Sequence, residues 1–174
     1  MSAVMQTDLI QIGGAGPAGL AAAITLARAG RRVLVHELQG VVGHRFDGDF
    51  QGLENWSTQQ DALYLLREMG ISTAFTAMPC RRADVFDAWD KRYEVAGSKI
   101  IFYLVERGPG PGTLDTALLE QARGLEVEVR FNSRLDHLEG AGILAAGPKA
   151  ADAIVRWLPL RDCHGRRRLG DSRR

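Results

Sequence analysis

Three glycines close to the start of the chain stand at the spacing Gly-x-Gly-x-x-Gly, at Gly14, Gly16 and Gly19. This spacing suits a loop that holds a pyrophosphate: Gly14 permits a tight turn, Gly16 lacks the side chain that would block the phosphates, and Gly19 lets a helix pack close to a sheet. A helix that begins in this loop turns unpaired N–H groups and the positive end of its dipole toward the anion. Glu37 lies 18 residues after Gly19, where its carboxylate can accept hydrogen bonds from a ribose. Together these residues predict a dinucleotide-binding site.

The elements that must position these residues are present in the right order. Residues 9–12 are a short apolar run with β-branched side chains, typical of a strand buried on both faces of a parallel sheet. Residues 20–29 are rich in alanine and leucine and stop at Gly30, which predicts a helix. Residues 32–37 predict a second strand, which ends on the acid Glu37. This order of elements makes the motif far more specific than its glycines alone. The alternative is a glycine-rich turn in an unrelated α/β unit.

The middle of the chain predicts a long loop followed by a helix. Residues 43–56 contain several glycines and no clear periodicity, and loops of this length are more often functional than idle. Ser57 and Gln60 have the spacing of a capping box, which predicts a helix over residues 58–69 that stops at Gly70. The apolar residues of this helix fall at helical spacing, so we expect it to pack on the core.

Residues 83–105 are rich in β-branched and aromatic residues and predict a small β insertion, with a hairpin turn at Asp90 and Lys91. We expect the aromatic side chains of this insertion to pack against the sheet; stacking on a substrate is the alternative. Thr113 can cap a helix that runs to about Arg123. Later apolar segments predict further short strands. The order of these elements predicts an α/β fold, a Rossmann-like domain with a parallel sheet and a small β insertion.

The composition excludes several classes of protein. The chain has 174 residues, of which 45% are apolar and 25% are charged, as in one ordinary soluble domain. No run of about 18 apolar residues is present, which excludes a transmembrane helix. The N-terminus lacks the features of a secretory signal, so we expect a cytoplasmic location. Cys80 and Cys163 lie far apart without metal-ligand spacing, so we expect neither a disulfide framework nor a metal site.

Several stretches of the chain resemble one group of flavoproteins. These stretches are residues 14–23, 44–56, 102–107, 112–115, 129–134 and 142–154. The group is that of the FAD-dependent oxidoreductases of the glutathione-reductase-like superfamily, in the branch similar to geranylgeranyl reductases and aromatic-ring hydroxylases. The resemblance implies that residues 6–154 form an FAD/dinucleotide-binding domain with FAD as cofactor, and that NAD(P)H is a candidate electron donor in the full-length parent. It also implies a truncated protein without the substrate domain, so whether this chain catalyses a reaction stays open.

The resemblance also implies which residues bind the cofactor. In relatives, the position that matches Arg45 lies near the flavin pyrophosphate and ribityl chain, and the position that matches Leu135 offers its backbone to the adenine. The stretch that ends at Gly147 is similar to the segment where a strand runs toward the flavin. Glu37 disfavours a 2′-phosphorylated ligand, because two negative charges would face one another. The expected cofactor-binding residues are Gly14, Ala15, Gly16, Pro17, Ala18, Gly19, Glu37, Arg45, Leu135 and Gly147.

Other polar residues receive no catalytic role. Arginine suits bidentate phosphate contact, and the alternative for Arg45 is a solvated loop charge. Arg107 and Asp115 are expected to form an ordinary surface pair or a helix cap. For His44, packing within the loop and proximity to the flavin stay open as alternatives. The chain shows no catalytic-triad order, paired carboxylates or metal-ligand spacing, so the catalytic residues stay unknown.

Residues 155–174 form a basic segment outside the resemblance. Residues 156–174 hold seven Arg and two Asp, whereas residues 1–155 hold 15 basic and 19 acidic residues, so the net charge of +1 hides an acidic domain and a basic end. Read one base later, the codons of Arg156 and Trp157 permit Val-Gly, which fits the continuation in relatives. We therefore expect an out-of-frame tail rather than one that binds nucleic acid. The coding DNA across this point decides between them.

The sequence thus predicts the FAD-binding portion of an FAD-dependent oxidoreductase, similar to geranylgeranyl reductases or to monooxygenases. Its expected partner is the small-molecule cofactor, with no nucleic acid and no transmembrane segment. The alternative is a non-catalytic module that binds NAD or another ADP-containing nucleotide.

Overall fold

The computed structural model describes residues 9–135 and 142–147. The predicted tail over residues 155–174, and the part of the predicted 6–154 domain beyond residue 147, lie outside the described residues. The described part of the chain forms nine strands and three helices. In chain order they are β1 (Leu9–Gly13), α1 (Pro17–Arg28), β2 (Arg32–His36), β3 (Phe50–Glu54), α2 (Ala62–Glu68), β4 (Ala77–Cys80), β5 (Arg82–Phe86), β6 (Arg92–Ala96), β7 (Phe102–Glu106), α3 (Leu114–Gly124), β8 (Glu128–Arg130) and β9 (Gly142–Leu144).

Four strands form a parallel sheet in the order β8-β2-β1-β9. The later strands β8 and β9 add on opposite sides of the first pair, so the strand order reverses beside β1. In open α/β sheets, ligands bind at such a switch point, outside the carboxyl ends of the strands. Gly13 pairs with both His36 and Leu144, so the ends of β1, β2 and β9 meet at one edge. The predicted Rossmann-like α/β fold with a parallel sheet is confirmed.

Helices α1 and α3 cover one face of this sheet. The small side chains of α1 let the helix lie close to the strands, and its apolar residues Leu20 and Ile24 are fully buried. They pack with Ile12 of β1, Val35 of β2 and Leu118 of α3. The apolar run predicted over residues 9–12 therefore places Ile12 in the core, as the parallel-sheet pattern requires.

The chain between β2 and β8 forms a second sheet, which is antiparallel and has the order β3-β7-β4. Its inner face carries Tyr103 and Val105, which are buried with Phe75. Leu66 of α2 and Leu114 of α3 pack against both this core and the core of the parallel sheet. The β insertion is larger than predicted: it includes β4 and also β3, whose residues 50–54 are predicted to be part of a loop, because both strands pair with β7. It is joined to the parallel sheet through these two helices.

Helix α2 begins later than the sequence predicts. It starts at Ala62 rather than residue 58, because Asp61 and not Ser57 is the N-cap. The Asp61 carboxylate accepts the N–H groups of Leu63 at 3.0 Å and Tyr64 at 3.1 Å. The Tyr103 hydroxyl of β7 also donates to Asp61 at 2.5 Å, so a tertiary contact favours this cap over the local one. The predicted stop at Gly70 is confirmed, since its φ is +77°.

The hairpin of β5 and β6 is only partly as expected. The turn at Asp90 is confirmed by its positive φ of 65°. The prediction that the aromatic residues pack against a sheet holds for Tyr103, which is buried, and is wrong for the hairpin, since Trp89 is 86% and Phe86 57% exposed. The physical reason is that the two strands pair with each other and, through the bond from Gly97 N–H to the Arg81 carbonyl, extend the β4–β7 ribbon outward. No other described strand pairs with them.

Helix α3 follows its predicted course. Thr113 is its N-cap and its hydroxyl accepts the Thr116 N–H, and the helix ends at Gly124, one residue beyond the predicted end. Among residues 9–135 and 142–147, no helix is long and apolar enough to cross a membrane.

Candidate functional site

The glycine loop follows β1 at the switch point, and its three glycines have different reasons to be glycine. Gly14 has a φ of +104°, and a Cβ there would lie 2.5 Å from the Ala145 carbonyl oxygen. A Cβ at Gly19 would overlap the carbonyl oxygen of Gly14. Gly16 has an ordinary φ of −75°, and nothing lies within 4 Å of a Cβ placed on it. Folding of the described chain therefore requires glycine at Gly14 and Gly19 but not at Gly16.

The N-terminus of α1 differs from those of the other two helices. Its N-cap is Gly16, no side chain caps it, Pro17 occupies the first turn and no acidic residue lies there. Helices α2 and α3 are capped by the side chains of Asp61 and Thr113. The first-turn N–H groups of a helix have no partner within the helix, and the dipole adds partial positive charge at this end. The α1 terminus is therefore suited to an anion such as a phosphate.

Glu37 lies directly beside this loop. Its carboxylate accepts the backbone N–H of Ala15 at 2.8 Å and that of Gln39 at 2.9 Å. The pairing of Gly13 with His36 brings the ends of β1 and β2 together, which makes the first of these bonds possible. A carboxylate has about four acceptor positions, so it can still accept bonds from the hydroxyl groups of a ribose.

Leu135 and Gly147 reach the same edge of the sheet from two sides. After β8, Ser133 N–H donates to the Glu37 carbonyl at 2.8 Å, which turns the chain toward the loop. The Leu135 side chain then lies 3.3 Å from the position of a Cβ on Gly13. On the other side, Gly147 follows β9 and has a φ of +70°. The structure thus brings the predicted residues of the loop, the acid and the two later segments to one edge.

His36 is a polar residue at this edge that sequence reasoning missed. Its ring nitrogens pair with the Ser133 hydroxyl at 2.8 Å and the Gln11 side-chain oxygen at 3.2 Å. Burial, and then the positive charge of Arg130, lower the pKa of His36 against the opposing effect of Glu128. The ring links β1, β2 and the segment after β8. Only its position next to Glu37 could have singled it out, because its partners lie far away in the chain.

Arg45 lies in the loop after β2 and is exposed. Its guanidinium is 4.9 Å from the centroid of the Phe46 ring, and its side chain forms no ion pair or hydrogen bond with the part of the chain that the structure describes. The Arg107 guanidinium lies 4.4 Å from the same centroid. The prediction that Arg45 binds phosphate stays a prediction, with the side chain available for it.

Arg107 and Asp115 form a buried ion pair. Nε and Nη2 of Arg107 donate to the two carboxylate oxygens of Asp115, both at 2.8 Å. Asp115 is 0% and Arg107 7% exposed, so the expectation of an ordinary surface pair is wrong. The physical reason is that β7 and α3 pack together and enclose the loop between them. The Gly108 N–H donates to Asp115 at 3.0 Å and the Gln51 side chain accepts from Arg107, so the buried charges are well paired.

A separate hollow of about 410 Å³ lies on the outer face of the antiparallel sheet. It is lined by Gly52, Glu54, Trp56, Phe102 and Leu104. The pairing of Gly52 with Leu104 and of Glu54 with Phe102 brings these side chains together. The walls are mainly apolar, with one carboxylate. The sequence does not reveal this hollow, because it depends on the register between strands about fifty residues apart.

Comparisons with known proteins agree with this geometry. A family model described as an NAD(P)-binding Rossmann-like domain matches residues 12–53. No curated protein matches the chain. Among solved structures, a geranylgeranyl bacteriochlorophyll reductase-like protein from Thermoplasma acidophilum is 20% identical, with a TM-score of 0.53, over 71% of this chain and 29% of that one.

Two oxygenases have the same fold. A 2-methyl-3-hydroxypyridine-5-carboxylic acid oxygenase is 22% identical, with a TM-score of 0.58, over 75% of this chain and 33% of that one. A p-nitrophenol 4-monooxygenase from Pseudomonas putida is 19% identical, with a TM-score of 0.56, over 75% of this chain and 34% of that one. The chain spans about a third of the length of these structures. The chain therefore has the Rossmann-like fold that these solved structures share, and the match to the NAD(P)-binding family model lies within it, over residues 12–53.

Proposed function

We propose that this chain is the FAD-binding portion of an FAD-dependent oxidoreductase, similar to reductases or monooxygenases. The observation that carries the proposal is the open space at Gly16. A side chain there would meet nothing within 4 Å, whereas Gly14 and Gly19 are enclosed by the fold. The fold therefore does not require glycine at position 16, and the missing side chain leaves room for a pyrophosphate at the uncapped N-terminus of α1.

Different residues would contact different parts of the cofactor. The pyrophosphate would lie against Gly16, at the end of α1 that has neither a side-chain cap nor an acidic residue in its first turn. Glu37 would accept hydrogen bonds from the ribose, and Leu135 would offer its backbone to the adenine. Arg45 would pair with phosphate oxygens, and Gly147 would lie toward the flavin. The residues Ala15, Pro17 and Ala18 complete the loop.

FAD is preferred to other dinucleotides because of the flavoprotein resemblance of residues 14–23 and 44–56. The names of the structures with the same fold, a reductase-like protein and two oxygenases, favour redox chemistry. FAD supplies the electron-transfer chemistry when bound, while the residues of this chain bind and orient it. We also propose NAD(P)H as electron donor and a cytoplasmic location, with no nucleic-acid partner. Catalysis would need a substrate-binding part besides these residues.

A non-catalytic nucleotide-binding module is the second candidate. It is favoured by the family model, which describes NAD(P)-binding domains, and by the chemistry of Glu37, which suits the ribose of any ADP-containing ligand. In this case the chain would bind NAD⁺ at least as well as FAD.

A ligand panel separates the two candidates. The purified chain is examined for flavin absorbance and then titrated with FAD, ADP, NAD⁺ and NADP⁺, with affinity measured by calorimetry and melting temperature by scanning. We expect a yellow protein that binds FAD most tightly and NADP⁺ least, with a melting temperature that rises with ligand concentration. A colourless protein stabilised by NAD⁺ and not by FAD would support the module. Failure to bind any of the four would overturn both candidates.

A further inference from the structure

We propose that Phe46 is a positioning residue, which holds the guanidinium of Arg45 in place for the phosphate groups of the dinucleotide. This inference depends on the proposed function. The observation is that two guanidinium groups lie over one ring, that of Arg45 at 4.9 Å from the centroid of Phe46 and that of Arg107 at 4.4 Å. Cation–π attraction acts within about 6 Å of the centroid, so both groups are within range.

One of the two arginines is a fixed support. Arg107 is held by both carboxylate oxygens of Asp115 and by the Gln51 side chain, and it is 7% exposed. Its backbone N–H also donates to the Asp49 carbonyl at 2.8 Å. Because Asp115 neutralises its charge and its side chain has no freedom to turn, Arg107 provides a rigid surface for the Phe46 ring.

The backbone of the loop holds the ring from the other side. Phe46 N–H donates to the Gly43 carbonyl at 2.8 Å, which closes a turn. Gly43 has a φ of +62°, and a Cβ on it would lie 2.7 Å from the carbonyl carbon of Gly108. Gly43 and Gly108 have no side chains, so the loop after β2 can pack directly against the backbone of Gly108. The ring is placed by its own backbone and by the guanidinium that it covers.

The other arginine is free to bind a ligand. Arg45 is exposed and, in the part of the chain that the structure describes, has no carboxylate partner. An unpaired guanidinium suits two parallel hydrogen bonds to a phosphate. A long exposed side chain loses rotamer freedom when it binds, and a ring that already restricts it lowers that cost. Phe46 would therefore raise affinity without touching the ligand.

The test is a set of variants with ADP as the probe, titrated by calorimetry at low and at moderate salt. We expect Arg45→Ala to weaken ADP binding, Phe46→Leu and Phe46→Met to weaken it about two- to five-fold, and Phe46→Tyr to keep the affinity of the unchanged chain. In the double variant with Arg45→Ala, the change at Phe46 should have no further effect. Salt screens the attraction between a guanidinium and a phosphate. Rising salt should therefore weaken ADP binding less in Arg45→Ala and in Phe46→Leu than in the unchanged chain. A purely structural role would not change this salt dependence.

The exposed hairpin offers a matched control. Lys91 Nζ lies 5.2 Å from the Tyr93 ring, so Tyr93→Leu removes a similar stack far along the chain and should leave ADP binding unchanged. Equal ADP affinity of Phe46→Leu, Phe46→Met and the unchanged chain, with Arg45→Ala weakened, would overturn the inference. So would full affinity of Arg45→Ala, although the proposed function would then still stand on Gly16. An unchanged chain that binds neither ADP nor FAD would overturn the proposed function itself.

Discussion

The carboxylate of Glu37 accepts the backbone N–H of Ala15 at 2.8 Å, although 22 residues separate them in the chain. This bond ties the end of β2 to the glycine loop after β1. The second carboxylate oxygen accepts the Gln39 N–H at 2.9 Å, which fixes the orientation of the group. The acceptor proposed for the ribose is thus held by the same loop that is proposed for the phosphates, before any ligand binds.

Replacing this carboxylate should weaken nucleotide binding. Glu37→Gln keeps the size of the side chain but removes its charge and one acceptor, and a hydrogen bond to a charged group contributes roughly 1.5–3 kcal/mol. We expect FAD and ADP to bind about 10- to 100-fold less tightly by calorimetry, and the preference for NAD⁺ over NADP⁺ to shrink. Glu120→Gln, on the exposed side of α3, is the control. Unchanged affinity in Glu37→Gln would contradict the role given to this residue.

The glycines of the loop should separate folding from binding. Gly16→Ala places its Cβ in open space, so we expect the melting temperature without ligand to fall only by the small cost of alanine at a helix N-cap, while FAD and ADP binding is lost. Gly124→Ala, at the end of α3, also meets nothing within 4 Å, so it should leave nucleotide binding unchanged and should not lower the melting temperature. Gly14→Ala should lower the melting temperature, because its φ is +104° and its Cβ would lie 2.5 Å from a carbonyl oxygen. Full nucleotide affinity in Gly16→Ala would count against the proposed site.

The buried pair of Arg107 and Asp115 should be important for stability. Asp115→Ala leaves the Arg107 charge without its partner in a site where Arg107 is 7% exposed. Breaking a buried pair from one side costs about 3–5 kcal/mol, so we expect a large fall in the free energy of unfolding by urea. The exposed pair of Arg92 and Asp84 has the same 2.8 Å distance, and Arg92→Ala should cost about 1 kcal/mol or less. Similar costs for the two variants would show that burial of the first pair is energetically unimportant.

The bond from Tyr103 to Asp61 should make stability depend on pH at both ends of the range. Burial and the hydrogen bond to Asp61 raise the pKa of Tyr103 to about 12 from 10.0. This stabilisation is present below pH 10 and is lost as the pH rises toward 12. Burial alone would raise the pKa of Asp61, but hydrogen bonds from Tyr103, Tyr64, Leu63 and Asn55 together lower it below 3.8. That stabilisation is present above pH 3.8 and is lost as the pH falls through the lowered pKa.

Tyr103→Phe tests both dependences in one variant. Urea unfolding from pH 3 to pH 11 should show a smaller loss of stability at each extreme than in the unchanged chain, since the shared bond at 2.5 Å is gone. Tyr64→Phe, in which the replaced tyrosine is 44% exposed, should follow the unchanged chain. A Tyr103→Phe profile that runs parallel to that of the unchanged chain would exclude this bond as the source of the pH dependence.

Local patterns in the sequence were sufficient to predict the β1–α1–β2 unit and several caps and turns. The unit β1–α1–β2 could be predicted because its signals lie within thirty residues: an apolar run, three glycines at a set spacing, an alanine-rich helix and an acid at the end of the next strand. The same is true of Thr113 as the cap of α3 and of the turn at Asp90. Each depends on the conformational preferences of a few neighbouring residues, and these are properties of residue type.

Tertiary structure decided what depends on residues far apart in the chain. Asp61 is a favoured N-cap residue by type, but it is also held by the Tyr103 hydroxyl of β7, a contact that no local capping pattern contains. Arg107 and Asp115 are buried because β7 and α3 enclose them, and the ring of Phe46 lies under two guanidinium groups only because the loop after β2 lies on Gly108. The sequence by itself determined which residues can form a nucleotide loop. The packing of distant segments determined which charges are neutralised in the interior and which are left for a ligand, because burial and ion pairing are set by neighbours in space.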